Sequence, residues 1–205
     1  MTARTIARER IQDAAIRLFA ESGSAQVNIS ELAQAAGMAR GTIYNNVPDP
    51  DRLYEEIVVD MAREMHDEVV ARAAEIDDPA ERLSVGVRLF VRRAHLEPHW
   101  GRFIVRFALN DRNLRAIMNA PPAADIAHGV AIGRYAVTTD ELPTVLGLIA
   151  GSVLSAILMV IEGERTWREA GSELATLLLK ALGLSAEEAR AIAWADLEPL
   201  LGAAR

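Results

Sequence analysis

Residues 28–47, NISELAQAAGMARGTIYNNV, have the pattern of a short helix, a sharp turn and a second short helix. Apolar residues of the first helix recur at i, i+3, i+4 and i+7 and form one face: Ile29, Leu32, Ala33 and Ala36. Asn28 and Glu31 have the spacing of a capping box, which starts a helix by local hydrogen bonds. Gly37 ends this helix, because glycine adopts the left-handed conformation of a sharp turn. The pattern predicts a helix-turn-helix.

The second helix of this stretch carries side chains that can hydrogen-bond a phosphate or a base edge: Arg40, Thr42, Tyr44, Asn45 and Asn46. Ile43 and Val47, at i and i+4, remain to anchor the helix inward. In a helix-turn-helix the second helix enters the major groove, where Arg pairs with guanine and Asn pairs with adenine. A solvated surface helix is the alternative interpretation of the same residues.

The order Leu32-Ala33, Ala36-Gly37, Gly41-Thr42-Ile43-Tyr44 and then Leu53 resembles the N-terminal region of the TetR family of bacterial transcription regulators. The resemblance implies a cytoplasmic repressor that binds double-stranded DNA at an inverted-repeat operator as a homodimer and is released by a small, mostly apolar effector. It implies phosphate contacts for Thr42 and Tyr44 and base contacts for Arg40 and Asn45. The predicted DNA-binding site has eight members: Arg4, Asn28, Arg40, Gly41, Thr42, Tyr44, Asn45 and Asn46.

The sequence departs from the family pattern at three positions. Ala39 stands where a capping Ser is usual, Val47 where an aromatic residue is usual, and Pro50 where a Lys is usual. The third departure matters most, because that Lys would lie near a phosphate. We expect weaker phosphate contact at this corner, which Arg52 partly offsets, and a smaller plug beneath the recognition helix.

Charge is distributed unevenly along the chain. The 205 residues have a net charge of −7 and include no cysteine, which excludes a disulfide framework and a thiolate metal site. Residues 1–47 carry five Arg and four acids, a net charge of +1, so the remainder carries −8. We expect DNA contact at one end, with Arg4, Arg8 and Arg10 available for phosphates. A solvated helix face is the alternative role of these arginines, and the amphipathic N-terminal helix is not expected to be a targeting segment.

Proline, glycine and capping residues divide the chain into about ten helices, without any β-alternation. The predicted fold is all-α, with a three-helix head (residues 1–49) that binds DNA and a larger helical body (residues 50–205) that binds ligand and dimerises. The expected helices span 3–22, 29–36, 40–46, 51–76, 79–96, 98–118, a segment from 121, 142–161, 167–182 and 185–201. The helix 51–76 links head and body, so movement of its far end would swing the recognition helix.

An aromatic stripe at i, i+3 and i+7 marks the helix 98–118. Trp100, Phe103 and Phe107 form the stripe, and with Met65 and Met159 they are predicted to line a pocket for an apolar ligand. Plain core packing is the alternative. The same region contains His95 and His99, but Pro98 separates them, so we expect no metal, no cofactor and no enzymatic site. An all-helical metal- or small-molecule-binding protein, or an enzyme, is the alternative function.

The segment 142–161 contains no charged residue and is long enough to span a membrane. Acids rather than basic residues flank it, and its neighbours are amphipathic, so we interpret it as a buried helix and expect no membrane partner. Small residues at i+4 spacing permit close approach of another helix. This helix and the next resemble the family's dimerisation helices, and the predicted interface contains Gly147, Gly151, Ser155, Leu174 and Leu178.

Overall fold

The computed structural model describes residues 3–73 and 76–197. These residues form ten α-helices joined by turns and short loops, with no strand among them. The helices are α1 (Ala3–Ser22), α2 (Ile29–Ala36), α3 (Arg40–Asn46), α4 (Leu53–Ala73), α5 (Pro79–Leu96), α6 (Pro98–Phe107), α7 (Arg112–Ala131), α8 (Leu142–Ile161), α9 (Trp167–Ala181) and α10 (Ala186–Trp194). Short 3-10 helices at Pro50–Arg52 and Thr139–Glu141 precede α4 and α8. The all-helical prediction is confirmed.

Most helix starts follow from local chemistry. The Asp78 carboxylate accepts a hydrogen bond from the Ala80 amide at 2.9 Å, and Pro79 occupies the first turn of α5. Before α9, Thr166 and Glu169 form the predicted capping box. Such starts depend on residues within one turn, so they are visible in the sequence.

The region between α6 and α7 differs from the expectation. The predicted helix 98–118 ends at Phe107, and the Asp111 carboxylate accepts a hydrogen bond from the Leu114 amide at 2.9 Å to start α7. The predicted start near Pro121 is wrong, because Pro121 and Pro122 both lie inside α7. Packing of α7 against α4, α5 and α8 offsets the local cost of proline in a helix.

The head is a three-helix unit whose core is formed by apolar side chains of α1, α2 and α3, including Ile11, Ala15, Leu32, Ala36 and Ile43. In the body, α5 packs against α7, α8 and α9. The head meets the body where α1 packs against α6, and α4 continues from the head into the body. The head, with α3, is therefore connected to the body through two helices rather than through α4 alone.

Helix α8 has two different faces. Its inner face is buried and consists of Val145, Ile149, Val153, Leu154 and Ile157. Its outer face is exposed and consists of Gly147, Leu148, Gly151, Ser155, Leu158 and Met159. Together with the turn before it, Thr139–Ile161 is the one segment among the described residues that is apolar and long enough to cross a membrane, yet 39% of its most apolar window is buried within the protomer. Helices in the core or at an interface of a soluble protein share these properties, so length alone does not place α8 in a bilayer.

Candidate nucleic-acid interface

The turn between α2 and α3 is held by backbone and side-chain hydrogen bonds. Asn28 accepts a hydrogen bond from the Ser30 amide at 2.7 Å, while Glu31 lies in the first turn of α2, where the helix dipole favours an acid. Gly37 has φ 62° and ψ 41°, the left-handed conformation that an L side chain would strain. The Met38 amide then donates to the Ala33 carbonyl at 2.9 Å and completes a Schellman turn.

Helix α3 is anchored by few buried residues and exposes a polar face. Ile43 is completely buried, and Val47 behind it is 5% exposed. Arg40, Gly41, Tyr44 and Asn45 are exposed, and Thr42 is half-buried beside them. Ala39 is the N-cap residue of α3 and makes no side-chain cap hydrogen bond, which agrees with its replacement of a capping Ser. The structure thus brings together the side chains that were predicted to contact phosphates and bases.

Two other predicted members of the DNA-binding site make hydrogen bonds within the head, and the side chain of a third is not described. Asn46 is half-buried, and its amide nitrogen donates to the Thr42 carbonyl at 2.8 Å, so the side chain is tied to its own helix. Asn28 is exposed, but its side-chain oxygen caps α2. Arg4 belongs to α1, and its side chain lies outside the described part of the chain.

The α1 arginines serve the head itself. Arg10 donates to the Ala36 carbonyl at 2.7 Å, and Arg17 donates to the Ala35 carbonyl at 3.3 Å. Helix α2 has no basic residue in its own last turn, so these two side chains satisfy its terminal carbonyls. Arg8 lies 3.7 Å from the Asp60 carboxylate and is paired with α4. Arg8 and Arg10 thus contact protein groups, yet both residues are exposed, so their availability for phosphates stays a prediction.

The corner after α3 is acidic. Asp49 caps the 3-10 turn by accepting a hydrogen bond from the Asp51 amide at 3.2 Å. The Arg52 side chain is 68% exposed and lies 4.0 Å from Glu55. An arginine this exposed remains able to reach a phosphate, but the nearby carboxylates reduce the local positive potential.

Two residues of the predicted ligand pocket lie in the contact between head and body. The rings of Phe103 and Phe107 lie 4.9 Å apart, and both contact Tyr54 of α4. Phe103 also lies 6.4 Å from Phe19 of α1. We call Phe19, Tyr54, Phe103 and Phe107 the junction cluster. Phe103 is fully buried and Phe107 is half-buried between α1, α4 and α6, and their part in a ligand pocket stays a prediction.

Tyr54 adds a polar contact to the junction cluster. Burial, followed by the charge and the hydrogen bond of the Asp111 carboxylate, raises the pKa of the Tyr54 hydroxyl well above its usual value. The hydroxyl therefore stays protonated and donates to the residue that caps α7. This contact joins the first turn of α4, next to the recognition helix, to the break between α6 and α7.

The remaining pocket candidates separate into buried and exposed residues. Met65 is 5% exposed, and Trp100 is 2% exposed. Within the described residues the indole nitrogen of Trp100 has no hydrogen-bond partner, while the Arg93 guanidinium lies 4.9 Å from its ring. Met159 is 38% exposed on the outer face of α8, so its predicted place inside the body is wrong. A buried indole N–H without a partner is a donor that a polar ligand group could use.

The predicted dimer residues lie mostly on the outer face of α8. Gly147, Gly151 and Ser155 are exposed, and a Cβ added to either glycine would meet no described atom within 4 Å. Leu174 is half-buried on α9. Leu178 is 3% exposed and belongs to the protomer core, whereas its neighbour Leu177 is 61% exposed. The prediction that Leu178 lies at a dimer interface is wrong, because its side chain is buried within the chain; the exposed Leu177 lies about 100° away around the helix.

The two histidines considered as metal ligands are separated by a helix boundary. His95 lies in the last turn of α5 and His99 in the first turn of α6, and both are exposed. No group of three or more His, Asp or Glu side chains within residues 3–73 and 76–197 is placed to hold a metal ion.

Family models match both parts of the chain. The model of the tetracyclin repressor-like C-terminal domain matches residues 78–195, and that of bacterial regulatory proteins of the tetR family matches residues 11–57. The second match contains the whole of α2, the turn and α3.

Curated relatives match a part of the chain. An uncharacterized HTH-type transcriptional regulator of Mycobacterium tuberculosis is 33% identical over 93 residues, 45% of this chain and 46% of that protein. The HTH-type transcriptional regulator AcrR of Shigella flexneri is 42% identical over 50 residues, 24% of this chain and 23% of that protein. The chain thus matches less than half the length of these relatives.

Solved structures are similar over nearly the whole chain. RolR in complex with resorcinol is 27% identical and has a TM-score of 0.69, with 96% of this chain and 97% of that chain covered. The fatty acid degradation regulator FadR from Bacillus halodurans is 19% identical, with a TM-score of 0.69 over 90% of this chain and 99% of that chain, and so shares the fold.

Proposed function

Because the chain belongs to the TetR family of bacterial regulatory proteins, we propose that it is a cytoplasmic repressor that binds an inverted-repeat operator as a homodimer. A small, mostly apolar molecule bound in the body would release it. The head, residues 1–49, would bind DNA, and residues 50–205 would bind ligand and dimerise. The observation that carries this proposal is the exposed polar face of α3 in a helix-turn-helix.

Each exposed residue of α3 has a role in the proposed complex. Arg40 and Asn45 would make paired hydrogen bonds to bases, since their side chains are exposed and have the required donors and acceptors. Thr42 and Tyr44 would contact phosphates. An added Cβ at Gly41 would meet no described atom, so this glycine leaves room for the DNA backbone. Asn28 and Asn46 would support the two helices rather than contact bases.

Selection of bound sequences from a random duplex pool tests this function directly. A two-fold dimer presents two identical recognition helices, so the selected sequences should share an inverted repeat. Substitutions on α3, such as Arg40→Ala and Asn45→Ala, should weaken binding to the selected sequence. Gln34→Ala is their matched control, because Gln34 is exposed on α2 of the same head. A pool that yields no shared or symmetric sequence would contradict the proposal.

The outer face of α8 would form the centre of the dimer. Gly147 and Gly151 have free space above them in the protomer, so packing within the chain gives no reason for their lack of a side chain. A facing helix would occupy that space, because small residues allow two helix backbones to approach closely. Leu148, Leu158 and Leu177, which are between 41% and 61% exposed, would be covered in the same interface. Burial of this face in a dimer would also explain why α8 is long and uncharged although we propose that it does not cross a membrane.

Trp100 and Met65 are the residues around which we place the ligand. RolR, whose structure contains resorcinol, is similar over nearly the full chain, so a small hydroxylated aromatic compound is a reasonable first probe. The unpartnered indole N–H of Trp100 could donate to a hydroxyl of such a compound, and the adjacent Phe90 ring, 5.9 Å away, adds apolar surface. Arg93 contacts both Trp100 and Glu64 of α4, so a ligand here would lie next to the helix that leads to the head.

A melting-temperature screen with resorcinol and related phenols tests the ligand site. Trp100→Phe keeps an aromatic ring and removes the N–H, so it should lower the affinity of a hydroxylated ligand by about tenfold, the value of one hydrogen bond. Trp194→Phe is the control, because Trp194 is 41% exposed on α10. By linkage, operator DNA must weaken ligand binding by the same factor as ligand weakens DNA binding. Ligand affinity that is indifferent to operator DNA would leave a binding site without regulation.

A further inference from the structure

We infer that Arg106, on α6 of the body, is a positioning residue that fixes the orientation of the DNA-binding head and therefore the spacing of the two recognition helices. The inference rests on the dimeric DNA-binding function proposed above. It assigns a specific connection between body and head that no sequence motif of the chain indicates.

Arg106 caps a helix to which it does not belong. One guanidinium nitrogen, Nη1, donates to the Ala20 carbonyl at 3.0 Å and to the Glu21 carbonyl at 3.4 Å. Both carbonyls belong to the last turn of α1, where helical carbonyls lack partners within the helix. That last turn contains no basic residue of its own. The body therefore supplies both the hydrogen bonds and the positive charge that the end of α1 requires.

The shape of the chain at the end of α1 admits this guanidinium. Gly23 has φ 71°, and its amide donates to the Phe19 carbonyl at 2.9 Å. A Cβ at Gly23 would overlap the Arg106 guanidinium, so the planar group lies against a surface that only glycine leaves free. The contact is thus matched on both sides, with a glycine in the head and an arginine in the body.

The same device occurs once more inside the head. Arg10 and Arg17 of α1 donate to the last carbonyls of α2, which also lacks a basic residue in its last turn. Helix α2 leads directly into the Gly37 turn and the recognition helix. Two successive arginine caps therefore connect α6 to the helix-turn-helix, the first made by Arg106 and the second by Arg10 and Arg17.

The junction cluster and Arg106 contribute differently to this connection. Apolar contacts among Phe19, Tyr54 and Phe103 hold the head against the body, but hydrophobic attraction is not directional. Hydrogen bonds weaken steeply when their geometry changes, so a cap resists rotation of α1 over α6. Arg106 is an exposed residue, and exposed polar contacts add little to global stability. We therefore expect its loss to change head orientation more than the melting temperature.

Electron–electron distance measurements on the intact dimer test this role without operator or ligand. The chain contains no cysteine, so Gln34→Cys on the exposed side of α2 introduces a single spin label in each head. In this background Arg106→Ala should broaden and shift the distance distribution between the heads. Arg106→Lys retains the charge but not the planar fork, and should restore part of the order. Arg102→Ala is the matched control, since Arg102 is an exposed arginine one turn earlier on α6.

DNA binding provides a second readout. On the selected operator, a one-base-pair insertion between half-sites should weaken the parent protein strongly. In Arg106→Ala the ratio of affinities for the two operators should fall on the order of tenfold, which corresponds to the free energy of one hydrogen bond to a charged group. Arg102→Ala should keep the parental ratio.

The outcomes separate the two proposals. A narrow parent distribution that Arg106→Ala leaves unchanged would overturn the role of Arg106 alone. The absence of any distance between labels in the parent protein would overturn the dimer and this inference together. If Arg106→Ala lowers the melting temperature substantially, the Lys variant decides. A stable Lys variant with broadened distances and weakened spacing selectivity would support the role of Arg106. A stable Lys variant with parental distances and parental spacing selectivity would overturn the hydrogen-bonded guanidinium as the group that positions the head.

Discussion

Helices α3 and α8 are both partly buried, but they expose opposite kinds of surface. Helix α3 is anchored by Ile43, with Val47 just beyond its end, and exposes polar side chains that water also satisfies. Helix α8 is anchored along its whole length and exposes leucines and glycines. A polar face is stable with or without a partner, so it suits a contact that forms and breaks. An extended apolar face is stable only when covered, so it suits a permanent contact.

The largest expected effect breaks the contact at α8. Gly151→Glu places a carboxylate in the proposed interface without a partner, at a cost of about 5 kcal/mol or more for the dimer. Sedimentation should then show monomers at micromolar concentration. Gly86→Glu is the control, because Gly86 is also a helical glycine with no described atom within 4 Å of an added Cβ, but lies on α5. A Gly151→Glu dimer of parental affinity would place the interface elsewhere.

The next effect concerns the anchor of α3. Ile43→Ala removes a side chain that is completely buried and should lower the free energy of unfolding by about 2–5 kcal/mol. Ile6→Ala makes the same chemical change at a residue that is 47% exposed, and should have a much smaller effect. Urea unfolding of both variants measures the difference. Because α8 is far from this change in the proposed scheme, the Ile43→Ala variant should remain a dimer. Loss of the dimer in this variant would contradict the independence of the α3 anchor and the α8 interface.

A smaller effect tests what the α3 face contacts. Asn45→Ala and Arg40→Ala should each lose about 1–3 kcal/mol of preference for the selected operator over random DNA. Tyr44→Phe removes only a hydroxyl and, if this group contacts phosphate, should weaken both kinds of DNA equally. Competition binding with the two duplexes separates these results. Equal losses on operator and random DNA for Asn45→Ala would remove Asn45 from the base contacts.

The smallest predicted effect concerns the start of α2. Asn28→Ala removes the cap on the Ser30 amide and should lower the free energy of unfolding by about 1 kcal/mol. Asn28→Ser retains a capping oxygen and should restore most of that stability. Thermal unfolding of the two variants provides the measurement, and an Ala variant as stable as the parent would assign no energetic value to this cap.

Helix boundaries set by neighbouring residues were predictable from the sequence. The bounds of α1, α2 and α3 match the predicted 3–22, 29–36 and 40–46, since caps and glycines act within one turn. The predicted helix 98–118 is wrong, because Asp111 caps the start of α7 and the prolines at 121 and 122 lie within that helix. Packing of α7 against other helices accommodates the two prolines, and such packing cannot be read from a short stretch of sequence.

The candidate site was predictable to the same degree. The exposed face of α3 follows from its own periodicity, so Arg40, Tyr44 and Asn45 lie where the pattern put them. The partners of Arg8, Arg10 and Arg106 come from other helices, and no spacing within one helix reveals them. The absence of a basic residue from the last turns of α1 and α2 was the available signal, because an uncapped helix end requires a donor from elsewhere.

The internal pairing of Arg8, Arg10 and Arg17 has a consequence for how the protein finds its site on a chromosome. Affinity for random DNA comes almost entirely from cations that neutralise phosphates, and these three are bound to the protein itself. A genome offers on the order of a million or more competing sites, which sequester any regulator that holds phosphates tightly. Contacts that engage these arginines within the head lower the affinity for random DNA, so fewer copies of the proposed repressor would be sequestered away from its operator.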